Sequence, residues 1–241
     1  MLKTYSLAFF STHTAFPAPA RRDLSDFARP VLDHWQSIGA EFGGILTGYL
    51  ANAGQAELAL ELIDRFGRNA LVIQDPAMAD HGRLYSGLGP ELVEAHRRIC
   101  ARADLVIPNL TEGCMLAGVE YEDRMDLEFC RQIATALLKT ARAVLLTGYS
   151  PSPDTVGFYY SDGKTEFAHA APRLPRNCHG TGDVYASAFV GALVQGKTAF
   201  DAARIAADYT VECIKETAKH ENHWYGAAFE PVLGKLIQAL N

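Results

Sequence analysis

Leu105-Val106-Ile107-Pro108-Asn109-Leu110-Thr111-Glu112 is the stretch that decides the fold. Three apolar residues form a strand too short to be a helix, and the proline ends it. The polar residues that follow sit where the chain leaves the strand. The same design recurs at residues 44–47, 70–73 and 143–146. Short strands with no polar alternation are buried on both faces, which is the mark of a parallel sheet.

Helical patterns fall between these strands. Val31, Trp35 and Ile38 lie at helical spacing, with Pro30 suited to the first turn and Gly39 to the stop. Further helices are expected over 55–66 (closed by Gly67), 90–101, 124–140, 184–195, 199–219 and about 229–240. Residues 2–10 read as a first strand. Residues 156–160 and 165–169 flank Ser161-Asp162-Gly163, a hairpin signal that adds an antiparallel edge. The expected fold is α/β, in three layers, with helices on both faces of a mostly parallel sheet. No linker, repeat or low-complexity stretch interrupts it, so residues 1–241 read as one domain.

Composition narrows the function. The chain has 241 residues, 49% hydrophobic and 21% charged, enough for a full core. Its formal net charge of −6 and scattered basic residues argue against nucleic acid as a partner. No apolar run approaches the ~20 residues a membrane span needs. Lys3, residues 7–10 and Ala18-Pro19-Ala20 imitate a signal peptide, but the apolar part is too short. The five cysteines have no paired spacing, which fits buried thiols in a reduced, cytoplasmic compartment.

In open α/β sheets, ligands bind beyond the carboxyl ends of the strands. There this sequence places Ser11-Thr12-His13-Thr14, Gly48-Tyr49, Gln74-Asp75-Pro76, Asn109 to Glu112 and Thr147-Gly148. Asp75 and Glu112 are hard oxygen ligands of the kind Mg2+ takes. Asn109 and Thr147 are neutral groups able to hold phosphate oxygens. His13, Thr14 and Tyr49 suit a polar aromatic substrate. Bland readings stand beside these. Asp75-Pro76 also reads as a turn, Asn109 and Glu112 as a helix cap with its capping-box partner, and His13 as a structural hydrogen-bonder. No Walker A sequence is present.

Gly180-Thr181-Gly182-Asp183 precedes the apolar helical run 184–194. A Gly-Thr-Gly turn at a helix start presents backbone N–H groups at the positive end of the dipole and suits an anion. A carboxylate there is repelled by phosphate, so Asp183 makes chemical sense as the base that takes a proton from an attacking hydroxyl.

Together, residues 107–112, 75–80, 146–148 and 179–183 resemble the ribokinase-type small-molecule kinases. Ser11-Thr12-His13-Thr14, Thr47-Gly48-Tyr49 and Gly82-Arg83-Leu84-Tyr85-Ser86-Gly87 are most similar to the pyridoxal kinases within them. The resemblance implies ATP- and Mg2+-dependent phosphorylation of the 5′-hydroxymethyl of a B6 vitamer by a homodimer. It implies Asp183 as base and Gly180, Thr181 and Gly182 as anion hole. Asn109, Glu112 and Thr147 would serve ATP and phosphate, Asp75 and Glu112 the metal, and His13, Thr14 and Tyr49 the pyridine. Two departures are visible. Family members begin one strand and one helix earlier, so residues 2–10 correspond to their second strand. Ala15-Phe16-Pro17 also stands where they often carry Gly-Gly. Hydroxymethylpyrimidine kinases share the fold but tend to carry Cys where Asp183 stands. A catalytically impaired vitamer- or nucleotide-binding protein is the alternative outside the enzymes.

Overall fold

The structure is a computed structural model that describes residues 7–11, 16, 18–176 and 178–241. In chain order the elements begin with β1 (Ala8–Phe10), β2 (Arg21–Asp23), α1 (Ser25–Ser37), β3 (Gly44–Thr47) and α2 (Ala53–Phe66). Next come β4 (Leu71–Gln74), β5 (Ala79–Asp80), β6 (Arg83–Leu84), α3 (Glu91–Cys100), β7 (Leu105–Val106), α4 (Leu110–Ala117) and α5 (Leu127–Leu137). The last are β8 (Val144–Tyr149), β9 (Thr155–Ser161), β10 (Glu166–Pro172), α6 (Thr181–Val194), α7 (Ala199–Ala218) and α8 (Leu233–Leu240).

The main sheet has six strands in the order β10-β9-β8-β7-β4-β3. β3, β4, β7 and β8 run parallel, and β9 returns antiparallel beside β8. The class and the late hairpin are as expected. Gly163, at φ +80°, supplies the left-handed residue of the hairpin turn, where Asp162 N–H donates to Thr165 O over 3.2 Å.

The chain divides into two compact units. One holds the described residues among 1–9, with 21–152 and 156–170. The other holds those among 10–20, with 153–155 and those among 171–241. In the first unit, Ile63 of α2, Val72 of β4, Leu92 and Ile99 of α3, Phe129 and Ile133 of α5, and Val144 and Leu146 of β8 form one buried cluster. Burying each such side chain contributes about 1.5–3 kcal/mol. In the second unit α6 packs along α7, and Ala188, Phe189 and Ala192 of α6 and Ala202 and Ala206 of α7 are buried. Small residues on both helices permit that close approach.

Several expectations need correction. The described end of the expected first strand, Ala8–Phe10, joins no parallel ladder but pairs with β2 in a separate two-stranded sheet. Residues 2–6 of that expectation lie outside the described residues. Helix α1 begins at Ser25, so Pro30 is interior and not at the first turn. The Asp23 carboxylate stops the chain earlier, accepting the Ser25 N–H over 2.8 Å and its hydroxyl over 2.5 Å. α5 starts at Leu127 and not near residue 124, because Asp126 Oδ1 caps it by accepting the Phe129 N–H over 3.0 Å.

Candidate active site

In the first unit, three neighbouring strands, β3, β4 and β7, end in step. Thr47 is in register with Gln74 and Gln74 with Val106, while Val106 pairs with Val144 at the start of β8. Asp75 N–H donates to Thr47 O over 2.9 Å, Ile107 N–H to Gln74 O over 2.7 Å, and Thr147 N–H to Pro108 O over 3.0 Å. The parallel pairing continues beyond the regular strands to a bridge between Asn109 and Thr147. Asp75, Asn109 and Thr147 are thus brought to one rim by the ladder itself, and Gly48 and Tyr49 leave β3 on the same side. Asp75, Asn109 and Thr147 are half-buried and Tyr49 is exposed.

β8 continues through the rim to Tyr149, with a register shift between Thr147 and Tyr149. The strand therefore runs past its expected end at Leu146, and the irregularity falls beyond it, between Thr147 and Tyr149.

Asn109 and Glu112 form the capping box of α4. Asn109 Oδ1 accepts the Glu112 N–H over 2.9 Å, and Glu112 Oε2 accepts the Asn109 N–H over 3.0 Å. Their remaining groups reach the next loop. Glu112 Oε1 accepts from Met78 N over 2.8 Å and Ala79 N over 3.2 Å, while Asn109 Nδ2 donates to Ala79 O over 2.7 Å. The helix-cap reading of this pair is therefore the geometry seen. Glu112 is only 2% exposed, with no cationic partner among its hydrogen bonds. Burial pushes its carboxyl up to about 7, against the pull of those three N–H donors.

This bears on Mg2+. Both Glu112 oxygens are engaged by backbone, and no group of three or more His, Cys, Asp or Glu able to hold a metal occurs among the described residues. The residues do not fit a cage built by the protein. Asp75 is the rim carboxylate whose chemistry suits a hard cation carried largely by phosphates and water.

Sequence reasoning missed the structure between Asp75 and Tyr85. There β5 and β6 form a two-residue-loop hairpin, with Ala79 opposite Leu84 and Asp80 opposite Arg83. The loop residues His81 and Gly82 stand at φ +49° and +74°, the signs a type I′ turn requires. Behind the rim, Gln74 and His96 of α3 are fully buried and 2.7 Å apart through Nε2 and Nδ1. Burial pushes the His96 imidazolium down to about 4, so the ring is neutral at ordinary pH.

In the second unit, α6 opens at Gly180, which takes φ +76° and provides no side-chain cap. Only glycine adopts that conformation without strain. Thr181 Oγ1 donates to Cys178 O over 3.3 Å, bracing the turn from before the helix. The first-turn N–H groups lie beyond the reach of intrahelical acceptors. Asp183 is exposed on that turn, and its Oδ2 lies 3.9 Å from where a Cβ on Gly180 would sit. A glycine-opened helix start and an exposed carboxylate therefore occupy the same four residues. His13 and Thr14 lie outside the described residues. Ser11 beside them is exposed and exchanges hydrogen bonds with Ala20, N–H to O at 2.9 Å and Oγ from N at 3.0 Å.

The strand-end rim of the first unit and the glycine-opened helix start of the second are each of a kind that suits phosphate. The chain belongs to the phosphomethylpyrimidine kinase family, whose model matches residues 37–228. It is 34% identical over 189 residues to a hydroxymethylpyrimidine/phosphomethylpyrimidine kinase of Streptomyces coelicolor, covering 77% of this chain and 66% of that one. A Bacteroides thetaiotaomicron protein assigned to the phosphomethylpyrimidine kinases and crystallised with pyridoxal superposes at TM-score 0.89 and 28% identity, covering 96% of this chain and 83% of that one. Pyridoxal kinase from Lactobacillus plantarum does so at TM-score 0.88 and 27% identity, covering 96% and 84%. The fold is thus the three-layer ribokinase-like fold. The relatives divide between two ring substrates, so the family establishes a kinase with an alcohol acceptor and leaves the ring open. No helix among the described residues is long and apolar enough to cross a membrane.

Proposed function

We propose that the chain is an ATP-dependent kinase that phosphorylates the 5′-hydroxymethyl group of a B6 vitamer. The observation that carries this reading is Asp183, exposed on the uncapped first turn of α6 behind a left-handed Gly180. In the proposed reaction its carboxylate takes the hydroxyl proton while the hydroxyl oxygen attacks the γ-phosphorus of ATP and ADP leaves. The N–H groups of Gly180, Thr181 and Gly182 would hold the transferring phosphoryl oxygens. Asn109 and Thr147 would meet the nucleotide phosphates, Asp75 and Glu112 would act toward their Mg2+, Glu112 from behind its backbone contacts, and Tyr49, His13 and Thr14 would hold the ring. Such catalysis rests on positioning and charge neutralisation, and it needs no covalent intermediate.

The second reading is a hydroxymethylpyrimidine kinase, favoured by the family description and by the 34% identity to the Streptomyces coelicolor relative. An aspartate at position 183 supports the vitamer. The test is a substrate panel of pyridoxal, pyridoxine, pyridoxamine and hydroxymethylpyrimidine with ATP and Mg2+, read by mass spectrometry. A phosphorylated vitamer as main product is expected. Phosphorylated pyrimidine alone would transfer the proposal to the second reading.

A further inference from the structure

Within the second unit, the loop between α7 and α8 is tied down at its exit. Thr217, fully buried, accepts the Ala228 N–H at Oγ1 over 2.8 Å and donates to Cys213 O over 2.7 Å. Tyr209 OH donates to Phe229 O over 2.9 Å. The loop is also packed from the side. The Phe16 ring centroid lies 4.7 Å from that of Trp224 and 5.6 Å from that of Tyr225, and His223 stacks on Tyr225 at 4.4 Å. The backbone closes on itself where His223 N–H donates to His220 O over 3.1 Å.

Arg176, half-buried, grips this turn. Its Nη2 donates to His223 O over 2.7 Å and to His220 O over 3.3 Å. A guanidinium shared between two carbonyls ties its own backbone to theirs without depending on the rotamer of a partner side chain. The loop already has Thr217 and Tyr209 to order it, so what these bonds fix is the segment that carries Arg176. The described residues of 173–180 belong to no helix or strand, so side-chain bonds set their course. Two such holds run in series toward α6: Arg176 to the loop, then Thr181 Oγ1 to Cys178 O, two residues before Gly180.

We infer that Arg176 is a positioning residue for phosphoryl transfer: by fixing the approach to the Gly180 turn, it sets the place of the turn's N–H groups and of Asp183. The inference rests on the proposed kinase reading, in which those N–H groups receive the transferring phosphoryl oxygens. Arg176 acts through the turn, so its effect should fall on the transition state more than on the binding of either substrate.

The test is Arg176→Met, which keeps the aliphatic length and removes the donors, with Arg176→Lys retaining one cationic donor group. A displaced turn should lower kcat about 10- to 100-fold, with the KM values for ATP and for the ring substrate within about threefold of the parent and the lysine variant between the two. An unchanged kcat, even with a lower melting temperature, or a raised KM with kcat kept, would overturn the inference. Calorimetric titration with ADP, Mg2+ and aluminium fluoride, in which the fluoride stands in for the transferring phosphoryl group, reads the turn without turnover. Arg176→Met should weaken binding of that mixture about as much as it lowers kcat, and binding of ADP alone by less than about twofold. Equal loss for both, or loss for neither, overturns the inference. A parent protein that phosphorylates no ring substrate overturns the kinase reading itself.

Discussion

Replacing Glu112 by glutamine should change how stability depends on pH, and the size of the change follows from two buried groups. Glu112 titrates at about 7 in the folded chain against 4.5 for the free side chain. Between those values the folded state holds a proton that the unfolded state has lost, so this group makes stability fall as pH rises. His96 titrates at about 4 against 6.5. Over that interval the unfolded state holds the extra proton, so this group makes stability rise with pH. From about pH 4.5 to 6.5 the two contributions oppose one another at one proton each, about 1.4 kcal/mol per pH unit. Glutamine removes the falling contribution and leaves the rising one. Urea unfolding of parent and variant at half-unit intervals should then give curves that diverge. The variant should gain about 1.4 kcal/mol per pH unit on the parent across the window, or roughly 2.7 kcal/mol in all. A vertical offset is also expected, because glutamine keeps one acceptor oxygen where two carboxylate oxygens served the Asn109, Met78 and Ala79 N–H groups, so its NH2 meets a backbone donor in either orientation. A buried N–H without an acceptor costs about 1–3 kcal/mol. Parallel curves through the window would mean that Glu112 is ionised throughout, and the burial argument would fail.

Two further outcomes follow from the same packing. Asn109→Ala removes the α4 cap and the 2.7 Å bond to Ala79 O, and should cost about 1–2 kcal/mol, seen as a drop of several degrees in melting temperature by calorimetry. Gly113→Ala places a Cβ 2.9 Å from both Ile133 Cγ2 and Leu146 Cδ2, and this overpacking between α4, α5 and β8 should cost about 1–3 kcal/mol by urea unfolding.

The parallel core was legible because wholly apolar strands carry their own signal. Residues 44–47 form β3 as read, while β4, β7 and β8 depart from their readings by a few residues at their ends. α2, α6 and α7 were legible from period, with Gly67 closing α2 and the Gly180 turn opening α6, while the Asn52 and Thr198 caps emerge only in the structure. The start of α1 was not, because Pro30 imitates a first-turn proline while the true start is set by Asp23, seven residues upstream. β5 and β6 were hidden because two-residue strands show no period; only the glycine of His81-Gly82 hinted at a tight turn. At the rim, the ladder gathers Asp75, Asn109 and Thr147 as their spacing after apolar runs suggested. The dual use of Asn109 and Glu112, capping α4 and holding residues 78–79, depends on a contact thirty residues away in sequence. No local pattern encodes such a contact.

The central claim is that Asp183 is the base of a phosphoryl transfer to a B6 vitamer. The most direct measurement is single-turnover formation of pyridoxal phosphate from pyridoxal, ATP and Mg2+ by the parent and by Asp183→Asn. Loss of a positioned general base should slow transfer by about 10²–10⁴-fold while leaving ATP affinity within a few-fold of the parent. Transfer at the parental rate by Asp183→Asn, or no pyridoxal phosphate from the parent, would contradict the account.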